Sequence, residues 1–161
     1  IKEYPNLIVI KSMSKDFGIA GVRAGYAVMN QHRVSYLLKN GYLWNSSGLA
    51  EYFFRLYVHP SFLLEYEKVR IQYIQETQQF FSQLSSIPEI KLYPGMANFG
   101  LIELLDGSTS TDFVSKLLIS YGIYTRNCAD KIGLEGQFVR IASRNKQENL
   151  SIINSIKRCF D

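Results

Sequence analysis

The stretch of this sequence best suited to chemistry is a lysine set among hydroxyl side chains and glycines. Lys15 follows two serines, Ser12 and Ser14, and Arg23 comes shortly after it. A lysine becomes a nucleophilic amine when a nearby cation destabilises its ammonium form. A guanidinium and hydroxyl groups together can bind a phosphate through charge-assisted hydrogen bonds. The stretch is therefore suited to a phosphorylated aldehyde, with Lys15 as the nucleophile and Ser12, Ser14 and Arg23 as phosphate ligands.

The flanking residues place this stretch at the end of a strand. An apolar run over residues 7–10 precedes it, and a second apolar run over residues 24–29 follows it. Loops at strand ends are a usual place for binding and catalytic residues in α/β proteins. A loop rich in serine and glycine, with one lysine and one arginine, is also the ordinary composition of a solvated turn. The residues alone leave both interpretations open.

The pattern from Ser12 to Gly25 resembles, position for position, the lysine signature of class I/II (fold-type I) pyridoxal-phosphate aminotransferases. That signature is Ser-x-Ser-Lys, two residues, then Gly-Ile-x-Gly-x-Arg-x-Gly. The resemblance implies pyridoxal 5′-phosphate as the cofactor and Lys15 as the Schiff-base lysine that also moves the proton at the substrate α-carbon. It implies Ser12 and Arg23 as ligands of the cofactor phosphate, with Ser14 as a further cofactor-binding residue.

An arginine in a later apolar run is the second candidate for binding chemistry. Arg140 lies between Val139 and Ile141 in a predicted strand. We expect its guanidinium to be desolvated there, so an anion should lie against it. The anion is either an internal carboxylate in a structural salt bridge or the α-carboxylate of an amino acid substrate. The resemblance implies the substrate, because the family carries its carboxylate-binding arginine in a Phe-x-Arg-Ile/Val strand.

The resemblance implies further binding candidates around these two regions. Asn98, after a Pro-Gly turn, matches a family position near the substrate carboxylate, although a turn asparagine also often caps its own loop. The stretch around Arg126 and the Phe-Val-Arg strand is especially similar to histidinol-phosphate aminotransferases and threonine-phosphate decarboxylases. Arg126 and Arg144 are therefore candidates for binding a second anion. Asn45 and Ser47 match a family stretch near the cofactor and the dimer contact.

Composition limits the class of protein. Hydrophobic residues make up 47% of the 161 residues and charged residues 20%, which is usual for a soluble globular chain. The net charge of +4 is mild and spread out, so we expect no nucleic-acid partner. No apolar run approaches the length of a membrane span and no secretory signal is present, so we expect no membrane association. Two cysteines are too few for a disulfide scaffold, which indicates a cytoplasmic protein. We predict no metal site.

The spacing of apolar residues predicts an α/β chain. Predicted helices cover residues 31–40 and 61–85, a segment ending near residue 58, a segment capped at Thr109, and a segment after an Asn145-x-x-Glu148 cap. Predicted strands include residues 90–93, 98–104 and 123–126. The resemblance implies that residues 1–59 are the end of the large cofactor-binding domain with the Schiff-base lysine. It implies that residues 60–86 are a long connecting helix and residues 87–161 a small C-terminal α+β domain.

The function implied by the resemblance is that of the C-terminal portion of an aminotransferase acting on an amino acid or amino-phosphate compound. Its partners would be a small-molecule amino donor and a keto acid, and its assembly a homodimer. A pyridoxal-phosphate decarboxylase of a phosphorylated amino acid is the alternative, because the same lysine and arginines serve both reactions. A non-catalytic remnant or a dimerisation or binding module is a second alternative. The family's ring-binding residues precede the lysine strand, so we expect a longer native chain and an inactive 161-residue piece.

Overall fold

The computed structural model describes residues 3–16, 18–41 and 46–161, and the chain divides into two compact units. These units are Ile1–Tyr66 and Glu67–Asp161. The division falls inside one long helix, where the chain passes from the first unit to the second. The predicted domain limits at residues 59/60 and 86/87 stay a prediction.

The first unit is built on an antiparallel hairpin. Its elements are β1 (Val9–Ser12), a 3-10 turn (Ala20–Val22), β2 (Gly25–Val28), α1 (Gln31–Asn40), α2 (Gly48–Tyr57) and the first turns of α3 (Pro60–Ser85). β1 and β2 pair with Ser12 opposite Gly25. A small core joins the hairpin to α2 and consists of the buried residues Met13, Ala24, Ala50 and Phe53. The core therefore fixes the hairpin end that carries the lysine loop.

The second unit is a four-stranded antiparallel sheet with helices. Its elements after α3 are β3 (Ile90–Tyr93), β4 (Phe99–Leu104), α4 (Ser110–Tyr121), β5 (Arg126–Asn127), β6 (Phe138–Ala142) and α5 (Lys146–Phe160). The strand order is β3-β4-β6-β5, and each neighbouring pair is antiparallel. The core includes Phe80 and Leu84 of α3, Leu117 of α4 and Ile156 of α5. The predicted α/β class agrees with this arrangement.

The sheet has one face in the core and one face outside it. Ile102 lies opposite Val139, and both are completely buried. One position along, Leu101 lies opposite Arg140, and Arg140 in turn lies opposite Arg126. Because side chains alternate along a strand and cross-strand neighbours share a face, this second row lies on the face away from the core.

The helices follow the sequence predictions more closely than the strand at the sheet edge does. Asn145 and Glu148 form the predicted capping box of α5. The strand predicted over residues 123–126 is wrong in its extent, since pairing covers only Arg126–Asn127. The amides of Gly122 and Ile123 instead donate to carbonyls of the last turn of α4, which removes them from the sheet. None of the helices in the three described ranges combines the length and hydropathy needed to cross a bilayer.

Candidate active site

The lysine loop leaves β1 and returns to β2 at one end of the hairpin. The Met13 amide donates to the Ala24 carbonyl at 3.1 Å, so pairing continues one step beyond the two strands. A Cβ on Gly25 would lie 2.9 Å from the Lys11 carbonyl oxygen. Glycine at this position is thus required by the close approach of the two strands. Between the strands, the described residues 14–16 and 18–19 have no strand pairing, and Ala20–Val22 form the 3-10 turn.

Three of the predicted cofactor ligands lie around one shallow concavity beside this hairpin. Ser12, Ser14 and Arg23 line a space of about 320 Å³ together with residues of both strands. The Ser14 amide donates to Ser12 Oγ at 3.3 Å, which orders the two serines relative to each other. Two hydroxyls and a guanidinium form a donor set that suits a phosphate, so the residues present fit the phosphate end of pyridoxal phosphate.

Arg23 is held in an unusual backbone conformation. Its φ angle is 60°, in the left-handed region, and it is the one non-glycine residue with positive φ among residues 3–16, 18–41 and 46–161. Its Nη1 donates to the Ala20 carbonyl at 2.8 Å, which leaves the remaining guanidinium donors for a ligand. Strained residues that persist in a folded chain are concentrated at functional sites. The conformation supports a binding role for Arg23.

Lys15 is exposed and does not line the concavity. Within the described residues its ammonium has no hydrogen bond or ion pair. Lys11 does line the concavity, but its ammonium lies 2.5 Å from the Asp16 carboxylate. The hydrogen bond that Lys11 donates to Asp16, reinforced by the Asp16 charge and opposed by burial, raises the pKa of Lys11. Lys11 is therefore paired with Asp16, whereas Lys15 has no such partner among the described residues.

In the second unit, Arg140 lies on the outer face of the sheet. The expectation of a desolvated guanidinium is wrong, because the residue is exposed: alternation along β6 places Val139 and Ile141 in the core and Arg140 outside it. No carboxylate in the described part of the chain lies within ion-pair distance of it. Its guanidinium carbon instead lies 4.8 Å from the centre of the Phe99 ring. Arg140 is thus oriented by an aromatic face and open to an external anion.

Arg126, directly opposite Arg140, is held by an acid. Its Nη2 lies 2.6 Å from Asp130 Oδ2, and Lys131 Nζ lies 3.2 Å from the same oxygen. The hydrogen bond from Lys131 and the charges of Arg126 and Lys131 lower the pKa of Asp130. The internal salt bridge considered for Arg140 therefore occurs at its neighbour. Both side chains of the Arg126–Asp130 pair are about half exposed, so an incoming anion can compete for Arg126.

The remaining candidate binding residues differ in the hydrogen bonds and ion pairs that they form. Asn98 accepts a hydrogen bond from the Ser143 amide through its backbone carbonyl at 2.9 Å, and its side chain bonds to no other described residue. Arg144 pairs with Glu148 at 3.3 Å in the first turn of α5. Ser47 accepts from the Ala50 amide and caps α2. Asn45 lies outside the described residues.

The contacts that hold the candidate side chains were not predictable from local patterns. Tyr66 donates to Asp16 across 50 positions of sequence, and Phe99 reaches Arg140 from a neighbouring strand. Neither contact follows from a motif. The two groups of candidates belong to different units: Ser12, Ser14, Lys15 and Arg23 to the first, and Asn98, Arg126 and Arg140 to the second.

Comparison with known proteins identifies what the chain is similar to. The sequence profile described as "Aminotransferase class I and II" matches residues 1–156. The chain is 66% identical over 159 residues to an L-serine phosphate decarboxylase of Campylobacter jejuni, covering 99% of this chain and 41% of that protein. It is 35% identical over 158 residues to a histidinol-phosphate aminotransferase of Thermoanaerobacter, covering 98% of this chain and 42% of that protein. The chain thus spans about two fifths of the length of these curated relatives.

Solved structures agree with these sequence comparisons. A decarboxylase from Sulfurospirillum multivorans superposes with a TM-score of 0.91 at 46% identity, covering 99% of this chain and 45% of that one. The L-threonine-O-3-phosphate decarboxylase from Porphyromonas gingivalis superposes with a TM-score of 0.79, covering 97% of this chain and 47% of that one. At 24% identity, the second match shows the fold alone. The predicted fold-type I architecture is confirmed.

Proposed function

Because this chain belongs to the aminotransferase class I and II family, we propose that the polypeptide containing it is a pyridoxal-phosphate-dependent decarboxylase of a phosphorylated amino acid. L-Serine phosphate is the first candidate substrate. The observation that carries the proposal is the 66% identity to an L-serine phosphate decarboxylase, against 35% to a histidinol-phosphate aminotransferase. The comparisons thereby favour the decarboxylase alternative over the aminotransferase. The predicted cofactor is confirmed, because pyridoxal 5′-phosphate is the cofactor of this family.

The lysine hairpin would hold the cofactor. Ser12, Ser14 and Arg23 would bind its phosphate, which is supported by their shared concavity and by the donors that Arg23 keeps free. Lys15 would attach its aldehyde carbon and later deliver a proton to the substrate α-carbon. Bound pyridoxal phosphate supplies an electron sink for the electron pair of the bond that breaks at that carbon. The chain's own contribution is to carry the amine and the phosphate donors on the same hairpin, within residues 12–23.

Arg140 would bind the substrate's phosphate in this reaction. A carboxylate that leaves as carbon dioxide loses its charge on the way to the transition state. An arginine clamped on that carboxylate would stabilise the substrate more than the transition state and would oppose the reaction. The phosphate keeps its charge throughout, so binding it orients the substrate without this penalty. The exposed guanidinium, with no internal acid among the described residues, supports this assignment for Arg140.

Arg126 is the second donor that we propose for the same phosphate. It lies opposite Arg140 in the β5–β6 register, so both guanidiniums leave the sheet on one face. The substrate would compete with Asp130 for it. The α-carboxylate assignment of Arg140 drawn from the resemblance is kept only for the aminotransferase alternative, in which the carboxylate is retained. Asn98 is proposed as a substrate contact because its side-chain amide has no partner among the described residues.

Product analysis tests the proposed reaction in the complete polypeptide. The enzyme is loaded with pyridoxal phosphate and given L-serine phosphate, and carbon dioxide and the phosphorylated amine are measured. Formation of both, in equal amounts and without a keto-acid acceptor, is expected. Lys15→Ala should abolish them, while Lys39→Ala, a lysine on α1, should leave them unchanged. A keto acid formed only with an acceptor would establish the aminotransferase instead.

Substrate comparison tests the role of Arg140. Arg140→Met should raise the KM for L-serine phosphate at least tenfold and reduce the preference over unphosphorylated L-serine by a similar factor, as expected from the loss of a charged hydrogen-bond pair of about 1.5–3 kcal/mol while Arg126 remains. Unchanged discrimination between the two substrates would contradict the phosphate assignment.

The non-catalytic alternative predicts no cofactor binding at all. We also propose a homodimer, the assembly typical of the family, to be checked by light scattering of the complete polypeptide.

A further inference from the structure

Contacts from two other elements converge on the residue that follows Lys15. The Tyr66 hydroxyl on α3 lies 2.7 Å from Asp16 Oδ1 and 2.9 Å from the Asp16 carbonyl oxygen. From β1, Lys11 Nζ lies 2.5 Å from Asp16 Oδ2. Asp16 therefore forms an ion pair with β1, the strand before the loop, and a hydrogen bond with α3, at a residue 50 positions later in the chain.

The geometry of these contacts restricts the backbone as well as the side chain. One phenolic proton is shared between a carboxylate oxygen and a carbonyl oxygen of the same residue, which is a three-centre hydrogen bond. Such a bond fixes the orientation of the Asp16 carbonyl relative to its own side chain. The Asp16 side chain is only 28% exposed, so solvent screens its pairing with Lys11 less than that of a fully exposed pair. Lys15, the preceding residue, has no such restraint of its own among the described residues.

We infer that Tyr66, Asp16 and Lys11 form a latch that holds the Lys15 loop, with Tyr66 and Asp16 acting as positioning residues for the Lys15 amine. The inference rests on the proposed function only in taking Lys15 as the residue that attaches the cofactor. The latch keeps the loop in one conformation and keeps Lys11, the competing lysine, paired with Asp16. Loss of the latch would loosen the loop without removing any cofactor ligand.

Two substitutions that remove contacts of the latch are compared with a matched control substitution in the complete polypeptide. Tyr66→Phe deletes only the hydroxyl, and Asp16→Ala deletes the carboxylate that both partners contact. The control is Tyr73→Phe, seven residues further along α3, whose hydroxyl donates to the Ser143 carbonyl at 2.9 Å in the second unit. The first measurement is millisecond-to-second hydrogen exchange of a peptide covering residues 12–18. The second is the dissociation rate of pyridoxal phosphate after transfer to excess cofactor-free acceptor protein.

We expect both rates to rise about tenfold in Tyr66→Phe and at least as much in Asp16→Ala, since a hydrogen bond to a charged group is lost. Tyr73→Phe should leave both rates at the wild-type value. Exchange in residues 12–18 that is equal in wild type and both latch variants would overturn the inference. Equal acceleration by Tyr73→Phe would also overturn it, because the effect would then belong to the whole helix. If the wild-type polypeptide showed no decarboxylation while exchange was accelerated in both latch variants, the proposed function would be refuted. The inference about the latch would still stand.

Discussion

The two arginines that face each other across β5 and β6 differ in what orients them. Arg140 lies over the Phe99 ring, whereas Arg126 is paired with Asp130. An aromatic face orients a guanidinium without neutralising its charge, while a carboxylate does both. An incoming anion can therefore bind Arg140 without displacing a carboxylate, whereas it must displace Asp130 to bind Arg126.

Replacement of Phe99 tests the aromatic support. Phe99→Leu should raise the KM for L-serine phosphate about two- to fivefold with little change in kcat, because an exposed cation–π contact contributes about 0.5–1 kcal/mol. Phe99→Tyr should restore the wild-type KM. The matched control is Tyr93→Leu, which removes another half-buried ring carrying a cation, Lys91 Nζ at 4.6 Å, but not one under Arg140. A similar rise in the control would mean that the effect comes from general packing of the sheet.

The Arg126–Asp130 pair has a defined dependence on pH. The folded pKa of Asp130 is depressed below 3.8, with the hydrogen bond from Lys131 as the largest cause and the charge of Arg126 among the others. The pairing is therefore present above the ordinary carboxyl range and is lost as the pH falls through the depressed value. Carboxyl-carbon NMR titration should give a midpoint below 3.8 for Asp130. Lys131→Met and Arg126→Met should each raise that midpoint, and a midpoint unmoved by both would show that the cations do not cause the shift.

At the scale of single elements, the residue that precedes β5 has a buried hydroxyl without a hydrogen-bond partner in the described part of the chain. Thr125 is 5% exposed, and its Oγ1 is the unsatisfied buried side-chain atom found in the described part of the chain. Thr77 on α3 is similarly buried, but its hydroxyl is hydrogen-bonded to Ser143 Oγ at 2.9 Å. The two threonines thus have nearly equal burial, but only the Thr77 hydroxyl has a hydrogen-bond partner among the described residues.

The two threonines therefore make a matched pair of substitutions. Thr125→Val should stabilise the protein by about 1 kcal/mol, because an unsatisfied buried hydroxyl is replaced by an apolar group of the same shape. Thr77→Val should destabilise it by about 1–2 kcal/mol, because the Ser143 hydroxyl loses a partner. The free energy of unfolding from urea denaturation is the measurement. Destabilisation by Thr125→Val would indicate that a bound water satisfies this hydroxyl.

The elements also show how far local sequence determines this structure. α5 was predictable because Asn145 and Glu148 form a cap within one turn, and Pro60 marks the start of α3 for a similarly local reason. The extent of β5 was not, because Ile123 donates to α4 and not to the sheet. The exposure of Arg140 was missed because an apolar neighbourhood in sequence does not tell which face of the sheet a residue occupies.

At the scale of the whole chain, the two units differ in how much apolar surface they bury. In the described residues, thirteen side chains form the core of the second unit and four form the core of the first. The strands of the hairpin expose apolar residues, with Ile10 at 80% exposed. Burial of apolar area is the main source of stability in a domain. The second unit therefore has the larger share of the stabilising core.

Expression of separate pieces tests this difference. A piece covering residues 67–161 should unfold cooperatively in urea, because it retains the whole larger core. A piece covering residues 1–66 should show little cooperative unfolding, because four core side chains are too few to offset chain entropy. Circular dichroism and the dispersion of amide NMR signals are the measurements. A cooperative transition in residues 1–66 and none in residues 67–161 would contradict the assignment of stability to the second unit.

The hairpin also bears on how the chain is made in the cell. Within the described residues β1 and β2 form a two-stranded sheet, so each strand has an outer edge without a pairing strand. The ribosome releases β2 more than a hundred residues before α5 ends, an interval on the order of ten seconds at bacterial elongation rates. During that interval, apolar strands with open edges can pair with neighbouring nascent chains. Chaperones that bind extended apolar segments would find a target at the same hairpin that carries Lys15.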